Sequence, residues 1–361
     1  MIILTIIIFL ALLALLILVH EFGHFVAARR AGIRVDEFGL GFPPKVFSFL
    51  RKGTRFSLNM IPLGGFVKIY GEEGEGRGEP DSFSSKSVGA RIAVVLAGVA
   101  MNFLFAAIVL SFGFWYGLPG AVEGDSGLKT RDVRVTIVGV APDSPAAAAG
   151  LKIGDSILAF STDGLKTEVA ETKEAQDFIV AHKGQEITML IKRGDEAIEK
   201  KVMPRVEAPE GQGALGVALE KTGIISYSWY RAPIEGVKAA VSLTWLFISA
   251  FYAIIVNLTV HGVMTAEVAG PVGIGVLTHQ VTQLGFAYLI QFAAILSINL
   301  AIINAFPFPA LDGGRAVFLL LEALKGSPVA PKYERVIHTT GFVLLIFLMI
   351  LVTARDVIKL F

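Results

Sequence analysis

"ALLALLILVHEFGHFVAARR", residues 11–30, is apolar enough to lie in lipid, yet its inner end carries His20, Glu21 and His24. Ionisable side chains at membrane depth are costly and persist where a partner or a function compensates them. The run has no basic start and is longer than the apolar core of a secretory signal, so it reads as a retained membrane helix. Residues four apart share one helical face, so His20 and His24 project side by side. That spacing suits two imidazoles on one zinc ion, with Glu21 beside it as general base. Satisfied core histidines are the competing reading of so short a match. The lipid-length context argues against it, because unpaired polar groups are penalised there.

The 361 residues are 54% apolar and only 17% charged, where a soluble domain carries about a quarter charged residues. The surplus is concentrated in runs at about 2–24, 92–117, 286–306 and 336–354, each near the roughly 20 residues that a spanning helix requires. The fold expected is a polytopic α-helical membrane protein with about four transmembrane helices. A net charge of +1 gives no sign of a nucleic-acid partner. With no cysteine, disulfides and thiolate sites are excluded, and a transition metal must be held by His, Asp and Glu.

Between the first two runs (segments 1–30 and 92–117), residues 31–91 are polar and Gly-rich. "FSLNMIPLGGFVKIY" (56–70) has β-type composition broken by Pro62, Gly64 and Gly65, which suggests a hairpin or edge strand. "EEGEGRGEPDS" (72–82) reads as a mobile loop. Residues 125–221 have the composition of an α+β soluble domain with strands, Gly-Asp turns and an amphipathic helix. Within 222–285, "GVKAAVSLTWLFISAFYAIIVNLTV" (236–260) is long and apolar enough to span. Eleven Lys/Arg between Arg29 and Arg91, and Arg315, Lys325, Lys332 and Arg335 further on, put both segments on the cytoplasmic side. Parity then makes 236–260 an interfacial or re-entrant segment and sets 125–221 outside.

A zinc site needs a third protein ligand and an open position. "INLAIINAFPFPALDGGRAVF" (298–318) supplies Asp312, the one acidic residue between Glu267 and Glu322. Its position just before Arg315 matches the depth of His24, which precedes Arg29 and Arg30. Pro307 and Pro309 break the helix ahead of it. An ordinary Asp-Gly turn is the competing reading.

HEFGH followed far downstream by "NAFPFPALDGG" resembles the site-2 protease family of intramembrane zinc metalloproteases, most nearly its bacterial regulator-of-sigma-E protease branch. The resemblance covers nearly the whole chain, including 286–318 and 336–354. It implies a zinc metalloendopeptidase of the bacterial cytoplasmic membrane with one Zn2+ per chain, held by His20, His24 and Asp312, and Glu21 as the catalytic base. It further implies that Asn304 and Pro309 hold the substrate or shape the site. "IPLGGFVKIY" resembles the family's membrane-associated β-loop, in which Gly64, Gly65 and Phe66 would meet an unwound substrate strand; a simple tight turn explains the two glycines equally well. The implied substrates are transmembrane segments of single-span proteins, of the anti-sigma-factor or remnant-signal-peptide type.

Residues 125–221 resemble a PDZ domain, with "APDSPAAAAGLKIGDSILAF" as its helix-and-GD pattern. "ALGVAL" (214–219), with Leu215, Gly216 and Val217, stands where a circularly permuted PDZ domain binds a peptide carboxylate. Such a domain implies a C-terminal peptide or partner, or a steric gate. One departure from the family is Val99 in "LAGVAMNF" (96–103), where proline is usual; Asn102 reads as a helix-packing polar group. His182 lies in the 125–221 segment, His261 and His279 flank the ambiguous region, and His338 starts the last span without a paired ligand; all four read as non-catalytic. A non-catalytic membrane adaptor would account for 125–221 but leaves His20, Glu21, His24 and Asp312 without a reason to lie in lipid. A transporter would need further charged residues deep in several spans.

Overall fold

The structure, a computed structural model, describes residues 2–122, 129–162, 164–194, 196–209, 211–262, 269–327 and 329–359. In chain order it runs α1 (Ile2–Arg30), β1 (Val35–Arg51), β2 (Thr54–Ile69), α2 (Val88–Tyr116), β3 (Leu118–Ala121), β4 (Lys129–Val140) and α3 (Pro145–Ala148). It continues through β5 (Ser156–Thr162), β6 (Leu165–Glu168), α4 (Thr172–Ala181), β7 (Ile187–Arg193), β8 (Glu196–Val202) and β9 (Val217–Ser226). Last come α5 (Ala232–Val256), α6 (Pro271–Leu284), α7 (Phe286–Ala305), α8 (Asp312–Lys325) and α9 (Pro331–Ile358). The chain divides into two compact units, one of Met1–Ser111, Ile234–Gln280 and Ile290–Phe361, the other of Phe112–Pro233 and Val281–Leu289.

Five helices of the described residues are long and apolar enough to cross a membrane: Ile3–Arg30, Val88–Tyr116, Ala232–His261, Phe286–Ala305 and Lys332–Ile358. That is one more than the four expected. The additional helix contains 236–260, and a short π-helical stretch, Asn257–His261, prolongs it. Backbone polar groups have no water to bond in hydrocarbon, so a helix that satisfies them internally is what such composition folds into. Trp245, Leu246 and Tyr252 on α5 and Phe342, Val343 and Phe347 on α9 are exposed. On a helix of this hydropathy that is a lipid-facing surface.

In the first unit β1 and β2 form one antiparallel sheet. Arg51 pairs with Thr54 across a two-residue turn in which Lys52 and Gly53 both have positive φ, the geometry that matches strand twist. Val35–Leu40 pairs with Gly65–Ile69, and its residues Glu37–Leu40 also register with Arg55–Leu58. Glu37–Leu40 is therefore held on both flanks, while Gly65–Ile69 is paired on one flank only among the described residues. The 72–82 stretch, expected as a mobile loop, is tied down: Ser82 Oγ donates to the Glu75 carbonyl and the Gly78 N–H to Ser85 Oγ, both at 2.9 Å.

The second unit holds a sheet in the order β3-β9-β4-β5-β7-β8, with β6 on β5. Period-two alternation buries Ile187, Met189 and Ile191 of β7 against Val135, Ile157 and Phe160. Ser144 caps α3 by accepting from the Ala147 N–H, and Glu171 and Glu174 form a capping box on α4. The expected domain start at 125–128 lies outside the described residues. Asp155 of the Gly-Asp turn is fully buried; Arg193 holds both its oxygens, at 2.7 Å each. Removing one partner of such a pair strands a buried charge. Arg193→Met should therefore destabilise this unit by about 3 kcal/mol, an increase of about a hundredfold in amide exchange at Ile187–Ile191 in the full-length protein.

Candidate metal centre

The site begins where α1 crosses α2. A Cβ on Gly23 would collide with the Ala97 carbonyl group, so the glycine is what lets the two backbones approach. At that crossing the His24 Nδ1 donates to the Val94 carbonyl at 2.9 Å. This places the ring proton on Nδ1 and leaves the Nε2 lone pair free. His20 Nδ1 lies 3.3 Å from the Asn102 amide, which is fully buried. Asn102 Oδ1 has no partner among the described residues, and turning the amide over would let that oxygen accept from Nδ1–H. Ser297 Oγ on α7 donates to the Asn102 main-chain carbonyl at 2.8 Å, fixing that turn of α2.

Asp312 arrives from the other end of the fold as the first residue of α8. Gly313 and Gly314 follow it because the first turn of α8 packs on the carbonyls of Ala305, Phe306 and Phe308, where any side chain would clash. Its Oδ2 lies 3.0 Å from His20 Nε2 and 3.3 Å from His24 Nε2, and the two Nε2 atoms are 3.2 Å apart. A tetrahedral zinc with ligands at about 2.0–2.1 Å has ligand–ligand edges of about 3.3 Å. The three atoms thus form one face of such a tetrahedron. Asp312 Oδ2 is buried and has no hydrogen-bond partner among the described residues, as suits a ligand oxygen. A Cβ on Gly98 would sit 2.7 Å from His20 Cε1 and 2.8 Å from its Nε2, so this glycine keeps the space above the rings clear. The donor set and the space both fit zinc.

A cavity of about 200 Å³ opens beside these three residues and is lined by Glu21, Gly65, Phe66, Val67 and Ile69 among others. Glu21 therefore faces the same space as the ligand atoms, and the singly paired strand Gly65–Ile69 borders it. Glu72 and Arg315 form an ion pair that lines both this cavity and a larger one of about 760 Å³. Arg91 and Glu322 make a second, two-pronged pair at 2.9 and 2.5 Å along the larger cavity.

Of the residues singled out in the sequence, His20, Glu21, His24, Gly65, Phe66 and Asp312 meet at this cavity. Gly64, Asn304 and Pro309 are not among its lining residues. Gly64 turns the chain with φ +96, and Pro309 packs against Gly341 of α9. In the second unit Gly216 has φ +73, and its carbonyl accepts from the Ala141 N–H at 2.8 Å. Leu215 is buried. Val217, with Ala218–Glu220, has no strand on the flank away from β4 among the described residues, since β3 reaches only Thr222–Ile225. Gly98 was missed by the sequence reading and Asn102 was given only a packing role. Their spacing of four, one helical turn, is the signal that would have linked them to the histidines.

Residues 8–348 match the family model of Peptidase family M50. A protein of Nostoc sp. is 34% identical over 360 residues, covering 97% of this chain and 95% of its own. Zinc metalloprotease RasP of Oceanobacillus iheyensis is 30% identical over 99% of this chain and 99% of its own. The protein of that name in Geobacillus kaustophilus is 30% identical over 99% and 98%. Among solved structures, the PDZ domain of an SdrC-like protein from Listeria monocytogenes is 26% identical over 26% of this chain and 93% of its own, with a TM-score of 0.21.

Gly98→Ala tests the cleared space. The added methyl must push the rings apart, so metal analysis of the purified variant should find zinc reduced at least tenfold, with helix content unchanged.

Proposed function

The chain belongs to Peptidase family M50, and on that premise we propose that it cleaves membrane-embedded segments of single-span proteins at a zinc ion held by His20, His24 and Asp312, with Glu21 as general base. The observation that carries this reading is the triangle of ligand atoms at 3.0–3.3 Å with Glu21 lining the same cavity. Bound there, zinc supplies Lewis acidity, which makes water nucleophilic near neutral pH and polarises a carbonyl.

The protein's own residues do the rest. Val94 and Asn102 fix the tautomer and aim of the two imidazoles. Glu21 takes the proton of the attacking water and returns it to the leaving amine. The strand Gly65–Ile69 offers its unpaired edge to an extended substrate, replacing hydrogen bonds that an unwound helix gives up. Pro309 acts by shaping the turn before Asp312. The β9 edge at Val217–Glu220, with the Leu215–Val217 loop, receives an extended peptide in the manner of a PDZ domain, either recruiting a partner or excluding bulky tails. The Lys/Arg distribution supports a cytoplasmic membrane location with the metal centre near the cytoplasmic face and the PDZ-like domain outside. Anti-sigma factors and remnant signal peptides are substrates of the fitting type.

Glu21→Gln should keep one zinc per chain while cleavage of a membrane-anchored reporter falls about 10²–10⁴-fold; normal cleavage by this variant would sink the mechanism. Dialysis against 1,10-phenanthroline should abolish cleavage by the unaltered protein, and added zinc should restore it. Because the substrate must enter as a strand, a reporter span carrying Gly or Asn near the cut should be cleaved faster than an all-Leu span of equal length.

A further inference from the structure

The turn that delivers Asp312 is held in an uncommon conformation. Ala310 has φ +77, which residues with a side chain rarely adopt and which persists where the surroundings over-determine it. Those surroundings come from α9. The Ala310 N–H donates to His338 Nδ1 at 2.9 Å. One helical turn further on, Gly341 lies so close to Pro309 that a Cβ there would stand 2.6 Å from the Pro309 carbonyl oxygen. Phe318, on the helix that Asp312 begins, sets its ring 5.3 Å from the His338 ring. Pro309, Ala310 and the first helix after them thus rest on one face of α9.

The hydrogen bond also states what kind of side chain the position requires. Nδ1 accepts, so the neutral ring carries its proton on Nε2. Nε2 is buried and has no hydrogen-bond partner among the described residues, and the ring lines the 760 Å³ cavity. Among the described residues, the hydrogen bond His338 makes goes to the backbone of the turn, with Glu334 Oε1 at 4.0 Å from Nε2. Without an acceptor at this point the half-buried Ala310 N–H would lose its partner, and the left-handed conformation would lose its tether.

We infer that His338 is a positioning residue for the metal centre: by accepting from the Ala310 N–H it holds the left-handed turn that sets the Asp312 carboxylate 3.0–3.3 Å from the histidine pair. This rests on the reading of Asp312 as a zinc ligand. His338 touches neither ligand nor substrate; it acts through the backbone two residues before Asp312.

Zinc affinity, measured by competition with a chromophoric chelator, and the visible spectrum of the cobalt(II)-loaded full-length protein test the idea without recourse to activity. His338→Phe keeps a ring against Phe318 and removes the acceptor. It should weaken zinc binding by about tenfold or more, the scale of lost outer-shell support, and alter the cobalt spectrum. His338→Asn returns an acceptor oxygen to the place of Nδ1 and should restore both to within about threefold of the unaltered protein. Should His338→Phe not be recovered folded, His338→Leu makes the same comparison. Native affinity and spectrum in His338→Phe would overturn the inference, as would equal impairment in His338→Phe and His338→Asn. Asp312→Asn separates the two levels. If it loses zinc while His338→Phe does not, only the role of His338 falls; if it binds zinc normally, the reading of Asp312 falls with it.

Discussion

Two imidazole nitrogens and a carboxylate oxygen stand within 3.3 Å of one another at the end of a lipid-length helix, and the rest of the membrane unit is arranged around that fact. A carboxylate in so poor a solvent is tolerable when a cation neutralises it. A zinc ion held there, as we propose, would do so while using the nitrogen lone pair that the Val94 bond leaves free on His24. The geometry is achieved largely by leaving side chains out. Gly23 admits α2, Gly98 clears the space over the rings, Gly313 and Gly314 admit the first turn of α8, and Gly341 admits Pro309. At each of these positions an added methyl would collide with a neighbouring backbone or with the histidine rings.

The substrate side follows from the same solvent. A transmembrane helix keeps its peptide groups satisfied internally, so a protease in the membrane must offer replacements before it can reach a carbonyl. The strand Gly65–Ile69, paired on one flank among the described residues and bordering the cavity, is the element we propose for that role. The second unit offers another half-open edge at Val217–Glu220. Both units thus present strand edges, one beside the His20, His24 and Asp312 side chains and one on β9 of the second unit.

How much was legible in the sequence varied with the range of the interaction. His20 and His24 were legible because four-residue spacing on a helix is local geometry. Asp312 was legible because a lone acid after a span leaves few alternatives. Asn102 was visible as a polar residue in an apolar run, but its contact with His20 depends on how α1 and α2 cross. His338 was set aside for want of a second ligand nearby; its partner is a backbone N–H, which no side-chain pattern announces. Asn304, part of the downstream motif, is not among the residues lining the cavity. The 72–82 stretch looked mobile from its glycines, yet serine–backbone bonds close it.

By itself, then, the sequence determined that this chain is a multi-pass membrane protein of the M50 peptidase family with two histidines one helical turn apart at the end of an apolar helix and a polar α+β segment between spans. Hydropathy, helical spacing and cysteine count all act within one segment. The tertiary structure alone decided which atoms meet: the Nε2–Nε2–Oδ2 triangle, the glycine-cleared crossing, the strand edge at the cavity and the His338 tether. Those depend on distances between segments far apart in the chain, and such distances are set by packing, to which every element contributes at once.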